Sequence, residues 1–158
     1  MGRYTTDNGN IKLICNLDLD KYLGKWYEIG KFSARGQNGL DNVTATYTLK
    51  DNGKIKVYNE GFKEGKKRSI TGSAGLRNKN CKGGLFVRFF WPFKSEYNVI
   101  KLAKDYRYAV VTGDDKSKLW ILSRAPKMAD KDYNEIINFL DSKGFKTGEI
   151  LTTKQNWS

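Results

Sequence analysis

Tyr22-Leu23-Gly24-Lys25-Trp26-Tyr27-Glu28-Ile29 is the stretch whose reading decides the fold. Asp18 to Leu23 reads as a short helical turn with Asp18 as its cap. Gly24 then lets the chain turn sharply, and Trp26 to Phe32 runs on as a first strand. Val43 to Leu49 alternates Val, Ala, Tyr and Leu with three threonines, the period of two of a half-buried strand. Asp51-Asn52-Gly53 signals a hairpin, and Ile55 to Phe62 is its return strand. Arg68 to Leu76, Leu85 to Trp91, Tyr97 to Leu102, Tyr108 to Thr112 and Lys118 to Ser123 complete the series, with turns at Lys79 to Gly84 and at Gly113-Asp114-Asp115. Eight strands with short connections predict an all-β chain. It should close as an eight-stranded antiparallel up-and-down barrel, a calyx wide enough for one small ligand. Ala129 to Lys143 then reads as an amphipathic helix, with Tyr133, Ile136, Ile137 and Leu140 on one stripe and Gly144 behind it as a C-cap. A single stripe places this helix on the outside of the barrel, and Glu149 to Thr153 can add a short ninth strand.

Composition narrows the function classes. A chain of 158 residues fits one domain, and no stretch approaches the ~20 apolar residues that span a bilayer. The net charge of +12 favours anionic partners: nucleic acid, acidic lipid surfaces or anionic head groups. Most lysines are scattered, as on a solvated surface, and the dense cluster Lys63-Glu64-Gly65-Lys66-Lys67-Arg68 reads as a loop between two strands. The aromatics fall on strand interiors or under the helix rather than among these cations, which argues against a nucleic-acid stacking platform. There is no histidine, hence no usual zinc or haem ligand and no Ser-His or Cys-His pair. No metal, cofactor or catalytic residue is expected; an enzyme acting on a lipid is the alternative. Met1 to Asn10 is polar and lacks the apolar core of a signal peptide. Leu13-Ile14-Cys15 is not read as a lipid-attachment site, because Ile14 is too large for the residue before such a cysteine. The polar start fits a mature form with its leader removed as well as a chain that never had one.

Gly24-x-Trp26-Tyr27 after a helical turn, with Arg124 at the end of the eighth strand, resembles the lipocalin family, of the bacterial outer-membrane and apolipoprotein D type. Tyr22 to Ile29, Val43 to Leu49, Tyr97 to Ile100 and Leu119 to Arg124 carry the likeness in the family's order. It spans Leu17 to Thr153, so residues 1–16 read as an N-terminal arm and 17–158 as one barrel domain. Trp26 can fill the closed end, and Arg124 can lie across its indole and bond the carbonyls of the entering segment. Gly24, Trp26 and Arg124 are therefore expected to be structural. Two positions depart from the family pattern. Arg35 is followed by Gly36 rather than a bulky residue in the first mouth loop, and the second signature is reduced to Thr112-Gly113-Asp114.

Trp26 and Arg124 set the phase of the alternation, which puts Glu28 and Gly30 inside on the first strand and Trp120 and Leu122 on the eighth. Elsewhere the resemblance sets the phase. It places Val43, Ala45 and Tyr47 inside, then Val57 and Asn59, Ile70, Gly72 and Ala74, Val87 and Phe89, Asn98, Ile100 and Leu102, Ala109 and Val111. This set forms the expected cavity, and its small residues suggest open volume. Glu28 needs a partner there, for which Asn59 or Asn98 is expected. The resemblance implies a binding and carrier protein for a fatty acid or lysophospholipid, with a role in membrane lipid maintenance or stress response. Lys31, Lys63, Lys66 and Lys67 at the mouth would attract an anionic head group, and membrane association would run through lysines or through a missing lipid anchor. The implied location is the periplasm, the outer membrane or the outside of the cell, as a monomer or homodimer. Cys15 and Cys81 both fall at the closed end and can form a disulfide, which would need an oxidising compartment. Two free thiols in a cytoplasmic protein are the alternative.

Overall fold

Alternation of apolar and polar residues becomes nine strands of one sheet in a computed structural model, which describes residues 11–32, 39–90 and 93–157. A four-residue helix α1 (Leu19–Tyr22) leads into β1 (Gly24–Lys31), β2 (Asp41–Leu49), β3 (Ile55–Lys63), β4 (Lys66–Asn78), β5 (Cys81–Arg88), β6 (Ser95–Leu102), β7 (Tyr108–Thr112) and β8 (Leu119–Ser123). Helix α2 (Asp130–Ser142), a 3₁₀ turn (Thr147–Glu149) and β9 (Leu151–Thr152) follow. Neighbours pair antiparallel from β2 round to β8 and β1, and β2 pairs back onto β1, which closes an eight-stranded barrel. Arg35 and Gly36, Trp91 and the polar start of the chain lie outside the described residues.

The cluster around Lys63 is not a loop. Lys63 and Lys66 pair across a two-residue turn, and β4 begins at Lys66. Glu64 and Gly65 both take positive φ (53° and 79°), the geometry of a tight hairpin turn whose twist matches the flanking strands. The terminal strand is shorter than the sequence pattern suggests, because Thr147 to Glu149 coils before it.

One side of the barrel is buried on both faces. Ile136 and Leu140 of α2 are fully buried against the outward residues Tyr108, Val110, Leu119 and Ile121. Arg107, in the turn before β7, grips Asp132 of the helix's first turn with two hydrogen bonds of 2.9 and 2.8 Å. That contact holds the Asp132 carboxyl below its usual range. Asp132 also stands where the positive end of the helix dipole favours an anion.

The two chain ends plug the barrel wall where strands diverge. Near the closed end β5 and β6 are paired only from Gly84 onward. Below that point the arm enters the gap: Ile14 N–H donates to Val99 O, and Lys82 N–H donates to Cys15 O. A Cβ on Gly83 would collide with the backbone of Ile14, so the arm can lie this close only against glycine. The Cys15–Cys81 disulfide fixes the arm there. Near the mouth, β1 and β2 separate above Tyr27 and Thr44. There β9 pairs with Gly30 and Lys31, and Gln155 donates through Nε2 to both Glu28 O and Val43 O.

The closed end therefore depends on the arm staying in the wall. A Cys15→Ser/Cys81→Ser double variant should unfold about 2–4 kcal/mol more easily than the wild-type protein. Urea denaturation with and without reductant measures this: reductant should shift the wild-type curve onto that of the variant and leave the variant unmoved.

Candidate functional site

Arg124 organises the closed end. Its Nη1 donates to Lys25 O at 2.9 Å, and its Nη2 reaches Lys21 O, Tyr22 O and Leu23 O at 2.7, 3.0 and 2.9 Å. The guanidinium lies 3.8 Å from the ring centre of Trp26, which is completely buried and donates from Nε1 to Tyr22 O. Gly24 has φ of +103° between these residues, a conformation that side chains resist.

Above the indole lie three tyrosines that the cavity reading largely missed, Tyr22 and Tyr47 buried and Tyr97 partly buried. Tyr22 stacks on Tyr47 with 5.9 Å between ring centres, and Tyr97 meets both rings edge-on. Their hydroxyls form a chain: Tyr97 donates to Tyr47 at 2.8 Å, so Tyr22 donates to Tyr97 at 2.6 Å. Burial pushes all three phenols up, Tyr47 to about 12. Next to this trio sits a small cavity of about 20 Å³ between Leu17, Leu19 and Leu23 of the arm and Ile55, Val57, Ala74 and Leu85 of the wall. The base is thus nearly full.

Exposure rises from there toward the mouth along each strand of one wall. Tyr47, Val57, Ala74 and Leu85 are buried, whereas Ala45, Asn59, Gly72 and Val87, the next inward residues up, are partly exposed. Val43, Ile70 and Phe89, one step higher again, are also partly exposed. These side chains share the inner face by register: Ala45 opposes Asn59, which opposes Ile70, and Ala74 opposes Val87. Ala109, Val111, Trp120 and Leu122 line the same interior on β7 and β8.

Three residues expected inside are not. Gly30 faces out, because Ile29 and Gly30 together oppose Ile121 in a bulge; a Cβ on Gly30 would meet Ile150 at 3.0 Å. Lys31 then points the same way as its partner Trp120. On β6 the phase is opposite to expectation. Tyr97 and Val99 face in, Asn98 faces out beside Arg77 and Glu96, and Ile100 packs in the outer cluster under α2. A second bulge, between Val99 and Lys101, returns Leu102 to the interior. Nor is Gly72 open volume: the Phe89 ring occupies the space its Cβ would take, 2.6 Å away. Glu28 bonds neither Asn59 nor Asn98; it accepts from Thr153 Oγ1, supplied by the segment after β9.

The whole arrangement can be compared with known proteins. A lipocalin-like domain matches residues 17–155. The outer membrane lipoprotein Blc of Citrobacter freundii is 39% identical over 147 residues, which cover 92% of this chain and 83% of that protein. The chain belongs to the lipocalin family. Bovine apolipoprotein D is 32% identical over 149 residues, 89% of this chain and 78% of its own. Insecticyanin of the tobacco hornworm superposes with a TM-score of 0.74 at 22% identity, covering 94% of this chain and 85% of its own, and so shares the fold. Lipocalins bind small hydrophobic ligands and in general bind or transport rather than catalyse. In this lipocalin the Arg124–Trp26 stack closes the barrel, and the accessible interior lies above it.

Two groups in that interior titrate away from their ordinary values. All three tyrosines keep their protons above pH 10, the value of the unfolded chain; the contribution of Tyr47 to stability is complete below pH 10 and lost as pH rises through about 12, and Tyr22 and Tyr97 act in the same direction. In a spectrophotometric titration Tyr22, Tyr47 and Tyr97 should ionise only as near-UV circular dichroism collapses; smooth ionisation of all 9 tyrosines with the native signal intact would contradict this. Burial raises the Glu28 carboxyl, opposed by the Thr153 hydrogen bond and by Lys31. Its contribution is therefore complete below the ordinary carboxyl value and lost as pH rises through the raised one. Glu28→Gln keeps an acceptor for Thr153 without the charge. Its Tm should exceed that of the wild type at pH 7, and the difference should vanish in acid.

Proposed function

We propose that this lipocalin reversibly sequesters a single-chain amphipathic lipid, a fatty acid or lysophospholipid, in the upper half of its barrel. One observation carries the reading: inward apolar residues that are buried at the base become accessible toward the mouth on four consecutive strands. Ala45, Val87, Phe89, Ile70 and Trp120 would take the tail, each buried methylene contributing ~0.8 kcal/mol. A dozen methylenes would then hold the ligand without a specific polar contact. Lys31 stands at the rim on β1 and Lys63, Lys66 and Lys67 on the β3–β4 hairpin, and these cations would attract an anionic head group. The Cys15–Cys81 disulfide supports an oxidising location. With the likeness to outer membrane lipoproteins it favours the periplasm, the outer membrane or secretion, and a role in membrane lipid maintenance.

Extraction and mass spectrometry of the purified protein should yield such a lipid, and delipidated protein should bind a fluorescent fatty acid. Ala45→Trp, which fills the inner wall, should weaken that binding at least about tenfold; Thr48→Trp, on the outer face of the same strand, should leave it unchanged. Failure of the wild-type protein to bind any single-chain lipid would sink the reading.

A further inference from the structure

At the mouth, beyond β5, two aromatic side chains stand exposed among the described residues. Phe90 is 68% and Phe93 76% exposed, the highest values among the exposed large hydrophobic residues described. A Phe93 N–H to Phe90 O bond of 2.8 Å holds these two residues close together. Their neighbour Phe89 points into the barrel and fills the space over Gly72, which anchors the chain there to the wall. Lys94 follows directly, its ammonium 4.1 Å from the ring centre of Phe86 and its side chain exposed.

The neighbouring hairpin forms a basic tongue. The β4 strand pairs with β5 only from Ser73 onward, at Ser73–Arg88, so its first seven residues and the end of β3 project past β5 toward the mouth. Lys63, Lys66, Lys67 and Arg68 occupy that projection, and all four are exposed. Arg68 is five positions from Ser73, about 17 Å further along β4 at ~3.3 Å per residue, so the tongue extends beyond the end of β5 on the adjacent strand of the same rim. Among the described residues, Glu60, 3.9 Å from Lys67, Glu64 in the turn and Asp41, paired with Phe62, are the acidic groups there.

Two exposed phenylalanines are costly in water, and clustered cations need a counter-charge. A bilayer with anionic lipids supplies both at once: an interface for aromatic rings and head groups for the lysines, where each cation near the surface adds to the attraction. We infer that the mouth of this lipocalin docks on an anionic bilayer surface, with Phe90 and Phe93 inserted at the head-group level and the β3–β4 tongue lying on the charged surface. Docked in this way, the open barrel faces the source of its ligand. The inference rests on the lipid-binding reading and deepens it by naming where loading occurs.

Co-sedimentation of the full chain with vesicles tests it. Vesicles of neutral phosphatidylcholine are compared with vesicles holding about 30% phosphatidylglycerol, at low salt and at about 0.5 M salt. The wild-type protein should pellet with the anionic vesicles and release at high salt. Phe90→Ser/Phe93→Ser and Lys63→Glu/Lys66→Glu/Lys67→Glu should each lower partitioning about tenfold, whereas Lys79→Glu/Lys104→Glu at the closed end should not. Each variant is also titrated with free fluorescent fatty acid in the absence of vesicles. Unchanged fatty-acid binding with lost vesicle binding supports the inference. Intact vesicle binding in both mouth variants, equal loss in the closed-end variant, or equal binding to neutral vesicles overturns it. Loss of free fatty-acid binding in the wild-type protein fails the sequestration reading instead.

Discussion

Four backbone carbonyls at the closed end have one partner in common, the Arg124 guanidinium. Three belong to the last residues of α1 and its exit, where a short helix leaves acceptors with no intrahelical donor. A planar fork of donors can serve several of them while its flat face covers the Trp26 indole, a combination a lysine ammonium could not match. One side chain at the end of β8 thereby fixes the start of β1 and the helix between the arm and the barrel. The aromatic column of Trp26, Tyr22, Tyr47 and Tyr97 is built on that point. The interior is full at its base for the same reason, and can be open only toward the mouth.

A closed barrel is not paired along its entire circumference, and this one uses its termini at the two gaps. The arm supplies Ile14 and Cys15 between β5 and β6, and the tail supplies β9, Thr153 and Gln155 between β1 and β2. In both places the inserted segment satisfies backbone groups that would otherwise be left unpaired in the wall. The arrangement also explains Glu28. It stands at the second gap, where the tail can deliver a hydroxyl donor to an otherwise apolar interior.

Much of this was legible in the sequence. Strict alternation located β2, Asp51-Asn52-Gly53 located its hairpin, and the spacing of Ile136 and Leu140 located the helix and its buried side. Phase was legible where one face of the sheet is wet. It was not legible on β6, because α2 covers the outer face there: Ile100 outside and Val99 inside are equally apolar and equally buried, so periodicity carries no sign. Bulges added a second loss. At Ile29–Gly30 and at Val99–Lys101 two residues oppose one, and no residue type in either place announces it. Gly72 was misread in another way. A glycine on the inner wall marks either space or a neighbour's ring, and only the position of Phe89 decides between them.

Polar groups that could recognise a ligand by hydrogen bonding are mostly spent within the barrel itself. The tyrosine hydroxyls bond one another, Glu28 is held by Thr153, and Asn98 is turned outward to Arg77, Glu96 and Gly113. Among the described residues of the accessible upper wall, that leaves Asn59 and Ser95 on the inner face by register, with Lys31 and Arg68 at the rim. A pocket so lined distinguishes molecules by length and cross-section rather than by functional group. Any chemical selection then falls to the mouth, where the cations and exposed aromatics are. The separation of a shape-selecting interior from a charge-selecting rim follows from the closed end: with its polar groups committed to holding the base together, this barrel has little polarity left to offer a guest.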